Sequence, residues 1–140
     1  ALVKEGAIGV HSQQELIDAL PTPRVLWMMV PAAFVDASID SLAPLLSPGD
    51  IIIDGGNSNY QDDIARAGRL KAANIHYVAA GVSGGVFGLE RGFCQMIGGE
   101  QDIVQRLDPL FAALEPAVDS APRTPGRDPT GGGTADTGER

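Results

Sequence analysis

Three short strings in this 140-residue sequence combine polar side chains with glycines in ways suited to holding a small polar ligand. The first is Asp54-Gly55-Gly56-Asn57-Ser58-Asn59-Tyr60. Its two glycines permit positive φ and close backbone approach. Asn57 then offers an amide donor and acceptor to a ligand hydroxyl or carboxamide. Asn and Ser are also the usual helix caps, so a turn with a cap fits equally well. The second is Gly81-Val82-Ser83-Gly84-Gly85. One hydroxyl and several unencumbered amides make a cradle for carboxylate or phosphate, or simply a glycine-rich connection. The third is Met29-Val30-Pro31-Ala32-Ala33. Pro31 stiffens the chain, and the small residues after it leave room for a flat ring. A plain strand-to-helix turn with proline near the helix start is the alternative.

Other reactive side chains have simpler readings. Ser83 is not read as a nucleophile: residues 81–85 are taken as something other than a Gly-x-Ser-x-Gly elbow, and no histidine partner is apparent. His76 lies within a strand pattern and is structural, while His11 precedes a helix cap. Two histidines and the single Cys94 make no metal-ligand spacing, so no metal is expected. Cys94 is read as a small core residue. Asp62 and Asp63 suit the first turn of a helix. Arg91 faces either an anionic ligand or a nearby acid.

The elements that must position these residues alternate. Ala7 to Val10 reads as a short strand. Ser12-Gln13-Gln14-Glu15 is a capping box opening a helix that Pro21 and Pro23 stop. Val25 to Val30 is apolar on both faces, as a central parallel strand is. Val35, Ile39, Leu42 and Leu46 recur at helical spacing. Ile51-Ile52-Ile53 is a second buried strand, followed by a helix over about 61–73 and a strand over 75–79. Phe93 to Ile97 is a candidate fourth strand. Ile103, Val104, Leu107, Leu110, Phe111 and Leu114 form the strongest helical stripe. Pro109 within it means either a kink or a second helix capped by Asp108. Strand–helix alternation predicts an α/β fold, a Rossmann-like, mainly parallel sheet with flanking helices. In such sheets ligands sit at the carboxyl ends of the strands, where all three strings fall. The sheet is expected to be partial. No Gly-x-Gly-x-x-Gly follows a strand, so the first strand and its glycine-rich turn are expected to precede Ala1.

Composition narrows the partners. The chain is 44% hydrophobic with 5% aromatic residues, which implies an aliphatic core. Its net charge of −8 argues against nucleic acid and anionic membrane surfaces. The longest apolar run is far short of the ~20 residues a membrane span needs. One cysteine excludes an internal disulfide, and the reading is cytoplasmic. Residues 1–115 read as the partial domain. Residues 116–140 read as a proline- and glycine-rich loop toward a missing helical domain.

Taken in order, Met-Val-Pro-Ala at 29–32, Asp-Gly-Gly-Asn-Ser-x-Tyr at 54–60, Gly-Val-Ser-Gly-Gly at 81–85 and Gly-Phe-Cys-Gln-Met-Ile-Gly-Gly at 92–99 become specific. Residues 1–115 resemble the decarboxylating 6-phosphogluconate dehydrogenases, most of all the short bacterial form that often prefers NAD. The wider β-hydroxyacid dehydrogenase family shares the Ser-Gly-Gly loop at 83–85 and the Met-x-Gly-Gly turn at 96–99. The Gly-Gly-Asn-Ser string selects the branch. The resemblance implies that Val30, Pro31, Ala32 and Asn57 contact the cofactor, NAD or NADP. It implies that Asn57, Ser83, Gly84 and Gly85 contact 6-phosphogluconate. Where this chain has Pro31, NADP-using members often carry lysine. The implied reaction belongs to the pentose phosphate pathway. A base removes the C3 hydroxyl proton as hydride leaves, the 3-keto acid loses carbon dioxide, and the enol is protonated to ribulose 5-phosphate. The family's base lysine and acid glutamate match no residue here and are expected beyond Arg140. The parent is expected to be a homo-oligomer, and the chain alone inactive. A sister 3-hydroxyacid dehydrogenase and a non-catalytic nucleotide- or phosphosugar-binding module are the alternatives.

Overall fold

Alternating apolar runs and amphipathic stripes become nine elements in the computed structural model, which describes residues 2–116. They are α1 (Gln13–Ala19), β1 (Val25–Met28), α2 (Val35–Leu42), β2 (Ile51–Asp54), α3 (Tyr60–Lys71), β3 (His76–Ser83), α4 (Gly88–Arg91), β4 (Cys94–Gly98) and α5 (Gln101–Leu114). The four strands form one sheet in the order β1-β2-β3-β4. β1, β2 and β3 run parallel, with Ile51 opposite Val25 and His76, while β4 is antiparallel to β3. The α/β, mainly parallel architecture is therefore as the alternation predicts.

Helices cover both faces because parallel strands are apolar on both sides. Ile51, Ile52 and Ile53 of β2 are fully buried. Ile52 faces α1, α2 and α3 with Leu26, Met28, Ile39 and Leu70. Ile51 and Ile53 face α5 with Val78, Ile103, Leu107 and Phe111.

Several expected elements differ. Ala7–Val10 forms no strand. It has no neighbour to bond, and an unpaired strand is not stable in water. The Val25–Val30 run ends as a strand at Met28 and lies at an edge of the described sheet, not its centre. The 75–79 strand extends to Ser83, because β4 folds back along it. Pro109 sits inside one continuous α5. Burial of Leu107 and Phe111 on either side outweighs the lost helix hydrogen bond. Cys94 is exposed, since β4 is the other edge. Arg91 forms no ion pair with an acid among the described residues and stacks over the Phe87 ring, 4.9 Å from its centre. The reading of residues 117–140 as a loop lies outside the described residues.

The amino ends of the strands are fixed by Asp50, which is fully buried. Its carboxylate accepts hydrogen bonds from the Arg24 amide (2.7 Å), the Arg24 guanidinium (2.9 Å) and the Ser47 amide (2.9 Å). Burial alone raises its pKa. The Arg24 and Ser47 amides and the Arg24 charge outweigh that and hold it below the ordinary carboxylate value. A carboxylate with a lower pKa folded than unfolded contributes stability that is complete above about pH 4–5. That contribution is lost as pH falls through the folded value. Urea midpoints measured from about pH 5 down to pH 2.5 should therefore fall more steeply for the wild type than for Asp50→Asn. Parallel slopes would remove Asp50 from the acid response.

Candidate functional site

The carboxyl ends of β1, β2 and β3 point the same way, so the turns that follow them meet. After β1, Pro31 precedes a single 3-10 turn, Ala32–Phe34, that runs into α2. Val30 is half-buried, whereas Pro31 and Ala32 are exposed. The exit of β2 lies directly against this segment, with the Gly55 amide donating to the Met28 carbonyl at 2.9 Å. A Cβ at Gly55 would overlap the Trp27 ring nitrogen and the Met29 sulfur. A Cβ at Gly56 would overlap the Val30 carbonyl oxygen. The glycine pair is thus required by close packing of two strand exits.

Asn57 follows in the left-handed region, at φ 55°. Asn tolerates this conformation better than most residues. Its carboxamide bridges to β3: the side-chain oxygen accepts from the Val82 amide (2.9 Å) and the nitrogen donates to the Val82 carbonyl (3.2 Å). That places Asn57 beside Ser83, the last residue of β3. Ser83, Gly84 and Gly85 are exposed. Gly85 takes φ 51°, with nothing within 4 Å of where a Cβ would stand. The structure therefore brings Val30, Asn57 and Ser83–Gly85 to one rim and leaves the Ser83 hydroxyl open.

The letters of residues 81–85 do fit Gly-x-Ser-x-Gly, so the sequence reading above is corrected on that point. The elbow is excluded by geometry instead. Ser83 is not in the positive-φ conformation, and His76 lies at the opposite end of β3, bonded to Glu100 at 2.6 Å. The structural reading of His76 holds. Lys71 also belongs to that far end, 3.5 Å from Glu100. Hydrogen bonding to His76 depresses the Glu100 pKa.

Beneath the rim lies a polar network that sequence reasoning missed. Asp54, 2% exposed, accepts from the Gly56 amide (2.8 Å), the Ser58 hydroxyl (2.7 Å) and the Tyr77 hydroxyl (2.8 Å). Tyr77 also reaches Asp63 at 2.9 Å. Arg66, 4% exposed, pairs with Asp36 at 2.8 Å and Asp63 at 3.2 Å, and stands 3.8 Å from Asp54. Burial, then the Asp54 and Asp63 carboxylates, push the Tyr77 pKa far up, so the phenol stays protonated. Hydrogen bonding to Asp36 likewise holds Arg66 as a cation. One signal was available: Asp63 and Arg66 stand three apart, in line with the buried Leu70.

Fold and rim together define a Rossmann-like, nucleotide-binding oxidoreductase domain. Residues 1–119 match the family model of the NAD binding domain of 6-phosphogluconate dehydrogenase, and the chain belongs to this family. It is 46% identical over 112 residues to the decarboxylating 6-phosphogluconate dehydrogenase of Treponema pallidum (strain Nichols), covering 79% of this chain and 23% of that protein. The solved 6-phosphogluconate dehydrogenase of Plasmodium falciparum, studied with NADP+ and with 6-phosphogluconate, superposes with a TM-score of 0.73 at 32% identity. That match covers 85% of this chain and 26% of the other. A 3-hydroxyisobutyrate dehydrogenase from Salmonella typhimurium gives a TM-score of 0.67 at 29% identity, covering 81% of this chain and 40% of that one. The chain spans between 23% and 36% of the length of the first curated relatives it matches.

The cofactor of this family is a nicotinamide dinucleotide, NAD or NADP. At the rim Pro31 and Ala32 are exposed beside Gly56, and the Asn57 amide stands next in the chain. Among the described residues no Gly-x-Gly-x-x-Gly turn is available for the pyrophosphate. No group of three or more potential metal ligands occurs among them. No described helix is long and apolar enough to cross a membrane.

Proposed function

We propose that this chain forms the part of a decarboxylating 6-phosphogluconate dehydrogenase where the nicotinamide end of NAD or NADP meets the sugar acid. The observation that carries the reading is the Asn57 bridge to Val82, which sets the cofactor-side turn against the substrate-side turn. Val30, Pro31, Ala32 and Asn57 hold the nicotinamide end of the cofactor. Asn57, Ser83, Gly84 and Gly85 hold the substrate near its carboxylate and C3 hydroxyl. When bound, the cofactor accepts a hydride. The Ser83 hydroxyl orients the sugar acid, and the Gly84 and Gly85 amides donate to its anionic oxygens. Lys71 lies at the opposite end of the sheet, beside Glu100, and does not stand at the rim to take the C3 hydroxyl proton. The isolated 140-residue chain is therefore expected to be inactive, with the proton-transfer groups supplied by the rest of the intact protein. A homo-oligomer acting in the cytoplasm completes the proposal.

The test is turnover of 6-phosphogluconate by the intact protein with NAD and with NADP. Carbon dioxide release together with reduced cofactor is the expected result. The Salmonella neighbour favours a second reading, oxidation of a small 3-hydroxyacid without decarboxylation. Turnover of 3-hydroxyisobutyrate but not of 6-phosphogluconate would replace the first reading with the second.

A further inference from the structure

The buried polar network under the rim is larger than the packing around it requires. Asp54, Asp63, Arg66 and Tyr77 could each be apolar in an ordinary core, where polar groups must be fully bonded to be tolerated. Their arrangement has a direction. Asp36 of α2 holds Arg66 of α3, with two hydrogen bonds of 3.2 and 2.8 Å. Arg66 holds Asp63, and Asp63 and Asp54 share the single proton of the Tyr77 hydroxyl. Asp54 then reaches upward with both oxygens. One takes the Gly56 amide and the other takes the Ser58 hydroxyl. Those two residues flank Asn57. The left-handed turn at Asn57 is gripped immediately before and immediately after, while its side chain is tied to Val82.

We infer that Asp54 is a positioning residue: its carboxylate, braced from below by Tyr77, clamps the turn on both sides of Asn57. The clamp sets where the Asn57 carboxamide and the Val82–Ser83 edge stand for a bound sugar acid. The inference rests on the proposed substrate reading for its kinetic consequence, but not for its structural one. A left-handed asparagine is held only when its surroundings over-determine it. Without the clamp the turn relaxes, and the exposed Ser83–Gly85 edge is presented less often in the binding geometry. Affinity then falls by the fraction of time the competent turn is populated.

Ser58→Ala removes one jaw and leaves the core untouched, because Ser58 lies at the surface end of the network. Charge-assisted hydrogen bonds of this kind imply a KM for 6-phosphogluconate about five- to tenfold higher in the intact protein, rising more than kcat falls. Ser58→Thr keeps the hydroxyl and should restore KM. Asp54→Asn keeps the acceptor for Gly56 and should fall between the two. The same substitutions are read without any substrate by amide hydrogen exchange at Val82, which Ser58→Ala should accelerate. An unchanged KM and unchanged Val82 exchange in Ser58→Ala overturn the inference. So does a KM rise that Ser58→Thr does not reverse and that tracks a fall in melting temperature, since that is a loss of fold alone. If the intact wild type does not turn over 6-phosphogluconate, the substrate reading fails. The clamp then stands or falls on the exchange at Val82.

Discussion

Arg66→Met is expected to destabilise the chain by about 3–5 kcal/mol, the cost of leaving buried charges without their partner. Arg66 is almost fully buried and is the cation nearest to both Asp54 and Asp63. Methionine fills a similar volume, so cavity formation contributes little. What remains is the buried Asp54 carboxylate and the half-buried Asp63 carboxylate competing for one Tyr77 proton. Asp36 matters less, because it is more than half exposed and water screens it. Arg66→Lys should recover only part of the loss, since an ammonium cannot reproduce the guanidinium fork on Asp36. Urea denaturation of the two variants measures both losses. A loss below about 1 kcal/mol would show that the network is not held by its charges.

The same network marks the limit of what the sequence discloses. Ile51-Ile52-Ile53 is legible as a strand because an unbroken β-branched run has few other uses. The three strand-end strings are legible as neighbours because ligands gather at the carboxyl edge of any parallel sheet. The capping box is legible in kind but not in detail. Ser12 does accept from the Glu15 amide, yet the Glu15 carboxylate takes the His11 amide rather than that of Ser12. Pairing across the sheet is another matter. Asn57 meets Val82 across 25 residues, and Arg66 meets Asp36 across 30. Each depends on the register of β2 against β3 or the seating of α3 on α2, which no local pattern encodes. The direction of β4 is hidden for a similar reason. Gly84 to Gly92 turns the chain through a 3-10 turn and the single turn of α4, instead of a crossover helix. Cys94 consequently lands on an open edge, where composition alone would place it in the core.

Gly56→Ala and Gly68→Ala are expected to move stability in opposite directions. Gly68 lies within α3, and a Cβ there meets nothing within 4 Å. Alanine should stabilise that helix by about 0.5–1 kcal/mol, since it loses less backbone entropy on folding than glycine. At Gly56 the same methyl group strikes the Val30 carbonyl, a backbone atom that cannot rotate aside. The overlap must be relieved by separating the exits of β1 and β2, at a cost of about 1–3 kcal/mol. The larger consequence falls on the rim. Separation draws Val30–Ala32 away from Asn57, so the two sides proposed to hold the nicotinamide end no longer face one another. Misplacement by about 1 Å is enough to reduce productive complex formation a hundredfold. Denaturation curves for both variants, with nucleotide titration of the intact protein, separate the two effects. A drop in nucleotide affinity at Gly56→Ala, with Gly68→Ala binding normally and melting later, supports a glycine chosen for apposition of the two turns. Normal affinity at Gly56→Ala despite the lost stability would make this glycine a packing residue only. The Val30–Asn57 contact would then have no part in holding the cofactor.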